Sequence, residues 1–74
     1  MTFLERNKVC NQIGIIEQGL VKVAYEKNEK EIVFEFAYEN NFIADYYSYV
    51  TQQVSEKEII SLEATTIYVI SREQ

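Results

Sequence analysis

Apolar and polar residues alternate with a period of two along most of the chain. That period marks strands with one face turned to a core. Ile13 to Glu17 reads as a short apolar strand ending at Gln18-Gly19. From Leu20 to Tyr25 the alternation is regular, with Val21, Val23 and Tyr25 on one face and Lys22, Ala24 and Glu26 on the other. Glu26-Lys27-Asn28-Glu29-Lys30 is polar and of turn length, and it contains an Asn, which tolerates tight turns. Beyond it, Ile32, Phe34 and Phe36 alternate with Glu31, Val33 and Glu35. Two alternating runs joined by a short polar loop predict a β-hairpin.

Asn40-Asn41 marks the next turn. Phe42, Ile43, Tyr46, Tyr47 and Val50 have helix-like spacing and predict a helical turn within 42–50. Thr51 to Lys57 is polar and reads as loop. Glu58 to Glu63 reads as a strand, Ala64-Thr65 as a turn, and Thr66 to Ser71 as the last strand. There is no Pro, no low-complexity run and no internal repeat. Six or so short strands with at most one helical turn predict an all-β domain: a small antiparallel sandwich, roll or barrel.

Composition narrows what such a domain can do. Seventy-four residues make one domain at most. A hydrophobic content of 47% excludes a disordered tail, and an aromatic content of 14% favours strands. A chain this short buries a modest share of its surface and leans on disulfides, a metal or a partner. Cys10 is the lone cysteine, so no intramolecular disulfide forms, and the absence of His argues against a zinc site. What remains is self-association as a homodimer, or packing against the rest of a longer parent protein.

The net charge is −5, and the basic residues Arg6, Lys8, Lys22, Lys27, Lys30, Lys57 and Arg72 are scattered. Direct nucleic-acid binding is therefore not expected. No apolar run approaches the roughly 18 residues of a membrane span. Met1 to Arg6 lacks the pattern of a signal peptide. With a single unpaired cysteine as well, the expected compartment is the cytoplasm.

The order of these segments resembles a known family. Ile13-Gly14-Ile15-Ile16-Glu17-Gln18-Gly19-Leu20-Val21-Lys22-Val23 is similar to the strand–turn–strand signature of Crp/Fnr-type sensor domains, which are cyclic-nucleotide-binding-like. The glycine there takes a backbone position that other residues resist. Glu31 to Glu39, followed by Asn41-Phe42-Ile43-Ala44-Asp45, resembles the next hairpin and the entry to the family's phosphate-binding cassette. Ile59 to Ser71 resembles the closing strands, with their V-x-A-L-E-x-T-x-V-x-V-I pattern. Phe36 to Ser48 is similar to the F-x-x-E-N-x-F-x-x-D-Y-x-S stretch of the Bacteroidetes-type regulators. The resemblance runs from about Leu4 to Arg72. It implies an antiparallel β-roll of jelly-roll type (a double-stranded β-helix, cupin-like) and a longer parent. The recognition helix of a helix-turn-helix does not fit within residues 1–74, so the chain reads as a single partial domain.

The resemblance also implies a site, formed by Ala44, Asp45, Tyr46, Ser55 and Lys57. In cyclic-nucleotide binders of the family, a Gly-Glu pair on a short helix meets the phosphate and ribose, and an Arg-Ser pair neutralises the phosphate. Here the Gly-Glu pair falls on Ala44-Asp45 and the Arg-Ser pair near Ser55-Glu56, so the phosphate-binding arginine is missing. Glu56 places a negative charge where a phosphate would sit, and like charges at about 4 Å cost roughly 1–4 kcal/mol. Lys57 is adjacent, but strand neighbours point to opposite faces. Weak or absent binding of cyclic AMP and cyclic GMP is expected, and no cofactor.

Simpler roles stand beside these. Asp45 suits a helix cap, Tyr46, Tyr47 and Tyr49 suit core or rim packing, and Ser55 suits a turn. Cys10 has no neighbouring base and reads as a small core residue. Glu29, Glu31, Glu35, Glu56 and Glu58 read as a solvated face. Catalysis is not expected: without His there is no cupin metal site and no Ser-His-Asp or Cys-His arrangement. The expected function is effector sensing within a transcriptional regulator, and the alternative is a protein-interaction or dimerisation module.

Overall fold

The computed structural model of the protein describes residues 1–71; Arg72, one of the two arginines, lies outside them. The chain runs β1 (Thr2–Leu4), β2 (Lys8–Val9), β3 (Gln12–Gln18), β4 (Leu20–Lys27), β5 (Lys30–Tyr38), β6 (Phe42–Ile43), α1 (Tyr46–Thr51), β7 (Val54–Ser55), β8 (Lys57–Ser61) and β9 (Thr66–Ser71). Every strand pairing is antiparallel. One sheet has the order β1-β8-β4-β5, a second β6-β3-β9, and β2 pairs with β7. This is an all-β roll with one short helix.

The hairpin of β4 and β5 turns at Asn28-Glu29, whose φ angles of 54° and 64° are both left-handed. A two-residue loop with two such angles matches the right-handed twist of its strands. The turn between β3 and β4 uses Gly19 at φ 122°. A Cβ there would overlap Thr65 Oγ1 and lie 2.7 Å from Thr65 Cα, so both backbone conformation and space demand glycine. Glu39 closes the same corner by accepting the Gly19 N–H at 2.8 Å.

The core lies between the sheets and contains Phe3, Leu4, Cys10, Ile16, Val21, Val23, Ala37, Ile43 and Ile59, with Ala44, Tyr49 and Ile67 packed against it. Full burial of each large aliphatic side chain contributes about 1.5–3 kcal/mol. The alternation of Leu20 to Tyr25 accounts for Val21 and Val23 facing inward. The alternation expected for β5 is broken. Val23 pairs with Glu35 but Ala24 pairs with Val33, so Phe34 is an extra residue in a β-bulge. Ile32 stays opposite Tyr25, whereas Phe36 pairs with Lys22 on the outer face and is 53% exposed. The three residues expected on one face are thus divided.

Two other expectations change. Thr51 to Lys57 is not all loop, because Val54 pairs with Val9 and Ser55 with Lys8, and Lys57 begins β8. The acidic face is partly paired: Arg6 reaches Glu58 at 3.4 Å and Glu26 at 3.9 Å, and Lys22 pairs with Glu31. Glu58 is the cross-strand partner of Ala24, and Ala24 is fully buried although it shares a face with Lys22.

Candidate functional site

The segment from β6 to β8 forms one side of a cleft of about 650 Å³. Asp45 caps α1 from an extended backbone conformation, and its Oδ1 accepts the Ser48 N–H at 3.3 Å. An aspartate in that position satisfies an N–H that the first helical turn leaves unpaired. The helix stops after six residues at Gln52, whose left-handed φ of 63° lets its N–H return to the Ser48 carbonyl. With no acidic residue in its first turn and no basic residue in its last, α1 depends on tertiary contacts for its stability.

Those contacts are polar and buried. Asp45 Oδ2 accepts the Ser55 hydroxyl at 2.5 Å, and Ser55 Oγ in turn accepts the Lys57 N–H at 3.0 Å. Ser48 Oγ donates to the Gln53 carbonyl at 2.5 Å and accepts the Cys10 N–H at 2.9 Å. The Asp45 N–H points to Cys10 Sγ at 3.4 Å. The helix is therefore pinned to β7, to the start of β8 and to the end of β2. Asp45, Ser48 and Ser55 are the buried polar residues among those described, and each is hydrogen-bonded, as burial requires.

Tyr25, Phe34, Asp45, Tyr47, Gln53, Val54, Ser55, Glu56 and Lys57 line the cleft. Lys57 stands opposite Tyr25 across the β4–β8 pairing. Its ammonium sits 4.3 Å from the centre of the Phe34 ring, within cation–π range. The bulge brings Phe34 to that place. Among the described residues no carboxylate forms an ion pair with Lys57. Glu56 is exposed on the cleft wall.

Of the site residues read from the sequence, Asp45, Ser55 and Lys57 come together in this cleft. Ala44 packs against the core. Tyr46 is exposed and stands outside the lining, where its neighbour Tyr47 takes part. Tyr25, Phe34, Gln53 and Val54 were not among the expected residues. The pairing of β4 with β8 carries Tyr25 in, and the bulge carries Phe34; neither leaves a local mark in the sequence.

No family model and no curated protein matches the chain. Solved structures do. The EAL enzyme Bd1971 in its cAMP-bound form matches with a TM-score of 0.84 at 18% identity, and its cGMP-bound form matches equally well. The likeness is one of fold. Both matches take in the whole of this chain but 20% of the enzyme chain. A half-site-occupied form of the same enzyme matches with a TM-score of 0.79 at 17% identity, over 66% of that chain. Among the described residues, no group of His, Cys, Asp and Glu is placed to hold a metal ion, and no helix is long and apolar enough to cross a membrane.

Proposed function

We propose that this chain is the effector-sensing domain of a longer regulator of the Crp/Fnr type, and that its cleft is poorly suited to a cyclic nucleotide. The fold it shares with part of an enzyme solved with cAMP and with cGMP supports the first half. One observation carries the second. Ser55 occupies the region that, by resemblance, serves the phosphate, yet its hydroxyl is given to the chain's own Asp45. The anion partner of the cassette is already a carboxylate of the protein, and among the described residues the nearby arginine, Arg6, is paired with Glu58 and Glu26 instead. Occupancy of the cleft would act by biasing how the pinned helix packs on the sheets, in a two-state equilibrium. The chain itself is assigned no catalytic step, no direct contact with DNA and a cytoplasmic setting.

The test is a thermal melt with and without cyclic AMP and cyclic GMP. At a hundredfold excess over Kd a ligand adds about 2.7 kcal/mol, which in a domain this small raises Tm by roughly 10 °C or more. No shift is expected. A rise of that size would show that the domain holds a cyclic nucleotide despite the bond between Asp45 and Ser55.

A second reading, a dimerisation or protein-interaction module, has its own support. The outer face of β5 displays Val33, Phe36 and Tyr38, with Leu62 just past the end of β8, each 42–57% exposed. Tyr38 and Phe36 stand opposite Leu20 and Lys22, and Ile60 flanks Lys22 on the other side. Exposed apolar side chains grouped in this way, here around Lys22, are a feature of contact surfaces. On this reading the sedimentation coefficient rises with concentration and Phe36→Glu holds it at the monomer value.

A further inference from the structure

We propose that the cleft takes a small aromatic carboxylate, its charge met by the Lys57 ammonium and its ring by the cleft's aromatic side chains. The inference rests on the effector-sensing reading and adds the chemical class of the effector. Three features of the cleft lead to it. The first is charge without a partner. Lys57 lines the cleft and, among the described residues, faces no carboxylate at ion-pair distance. Phe34 holds the ammonium from one side, 4.3 Å from its ring centre. An ammonium has three donors, and a ring face does not satisfy them as an anion would.

The second feature concerns the carboxylates. Asp45 and Glu56 also line the cleft and, beside aromatic rings, would suggest a cationic ligand. Both oxygens of Asp45 are engaged, by Ser48 and Ser55. The Phe34 ring face is taken by Lys57, whose charge repels a second cation. Of the two cleft carboxylates, Glu56 has no ion-pair partner among the described residues, and it opposes multiply charged anions more strongly than a single carboxylate. A lone ammonium is a point charge without the planar fork that grips phosphate. A ligand with one delocalised negative charge is therefore favoured.

The third feature is the wall itself. Tyr25, Phe34, Tyr47 and Val54 give the cleft a surface suited to a flat apolar ring. Hydroxyls on Tyr25 and Tyr47 can accept or donate at the edge of such a ring.

Calorimetric titration of the intact chain with indole-3-acetate tests this, with indole-3-acetamide as the neutral probe and tyramine as the cation. The acid should bind about tenfold or more tightly than the amide, since a charge-assisted contact is lost. Lys57→Gln should erase that preference, while a melt of the variant confirms that it folds. Glu56→Gln should tighten the acid and leave the amide unchanged. The proposal is overturned if acid and amide bind alike, if Lys57→Gln keeps the preference, if tyramine binds best or if indole-3-acetate does not bind. Cyclic AMP in the same series separates the two claims: tyramine bound without the acid keeps the sensor and removes this ligand class, whereas cyclic AMP bound without the acid removes this class and also overturns the reading that the cleft is poorly suited to a cyclic nucleotide. No heat from any probe overturns this proposal and leaves the cyclic-nucleotide reading standing, since that reading expects none from cyclic AMP.

Discussion

Asp45 has each of its carboxylate oxygens fixed by a different element: Ser48 of the helix on one side and Ser55 of β7 on the other. Asp45→Ala removes a cap, which typically costs about 1 kcal/mol, and leaves the buried Ser55 O–H without its acceptor, for about 1–3 kcal/mol more. The sum of roughly 2–4 kcal/mol should appear as a lower urea midpoint, and Asp45→Asn should recover part of it. Glu39 makes a pH-dependent contribution. The Gly19 N–H, and then its own, hold its carboxyl below the ordinary value of 4.5. A depressed folded value means that the unfolded chain binds the proton first as pH falls. The stabilisation is therefore full above about pH 4.5 and fades as pH drops through the folded value. Glu39→Gln should flatten the acid limb of a stability–pH curve measured by denaturant melts at stepped pH.

At the scale of elements, the hairpin of β4 and β5 was legible because its residues alternate and its loop is polar. What alternation cannot reveal is a bulge, since one extra residue reverses the faces beyond it. Phe34 and Phe36 consequently looked alike in the sequence and lie on different sides of the sheet. The two-residue strands β2 and β7 were hidden for another reason: each is too short to show a period and exists only through its pairing with the other. Asp45 was readable as a cap from its residue type. Its partner Ser55 was not, because the two meet only after the helix has folded back. The hairpin turn itself can be improved. Glu29 has a left-handed φ of 64°, which a residue with a Cβ resists. Glu29→Gly should gain about 0.5–1 kcal/mol after the entropy of the freer unfolded chain is counted. Calorimetry should show Tm rising by roughly 2–8 °C.

For the whole molecule, size sets the terms. The radius of gyration is 11.7 Å, close to the roughly 11 Å expected of a compact chain of this length. Total stability for such a domain is on the order of 4–11 kcal/mol. Ile59 is fully buried on β8, between β1 and β4. Ile59→Ala should cost about 2–5 kcal/mol, a large part of that total. Far-ultraviolet circular dichroism should show a fall in Tm of 10 °C or more, on the order expected for such a loss. An all-β antiparallel domain was visible from period and composition together, while the roll among its alternatives came from the resemblance. The position of the cleft needed the resemblance as well, because no single stretch of the chain contains it.

The hydrogen bond between Asp45 and Ser55 also closes a ring in the chain. The path leaves the sheets after Ile43 and returns to them at Val54, and the segment between is also anchored from inside, by Ser48 to Cys10 and by Tyr49 against the core. Substitutions at the exposed cleft residues Tyr47 and Gln53 can alter what the cleft admits while Ser48, Tyr49 and the strands on either side keep their places. A lineage could in this way exchange one effector for another by rewriting a single short segment, with the sheets carried forward intact.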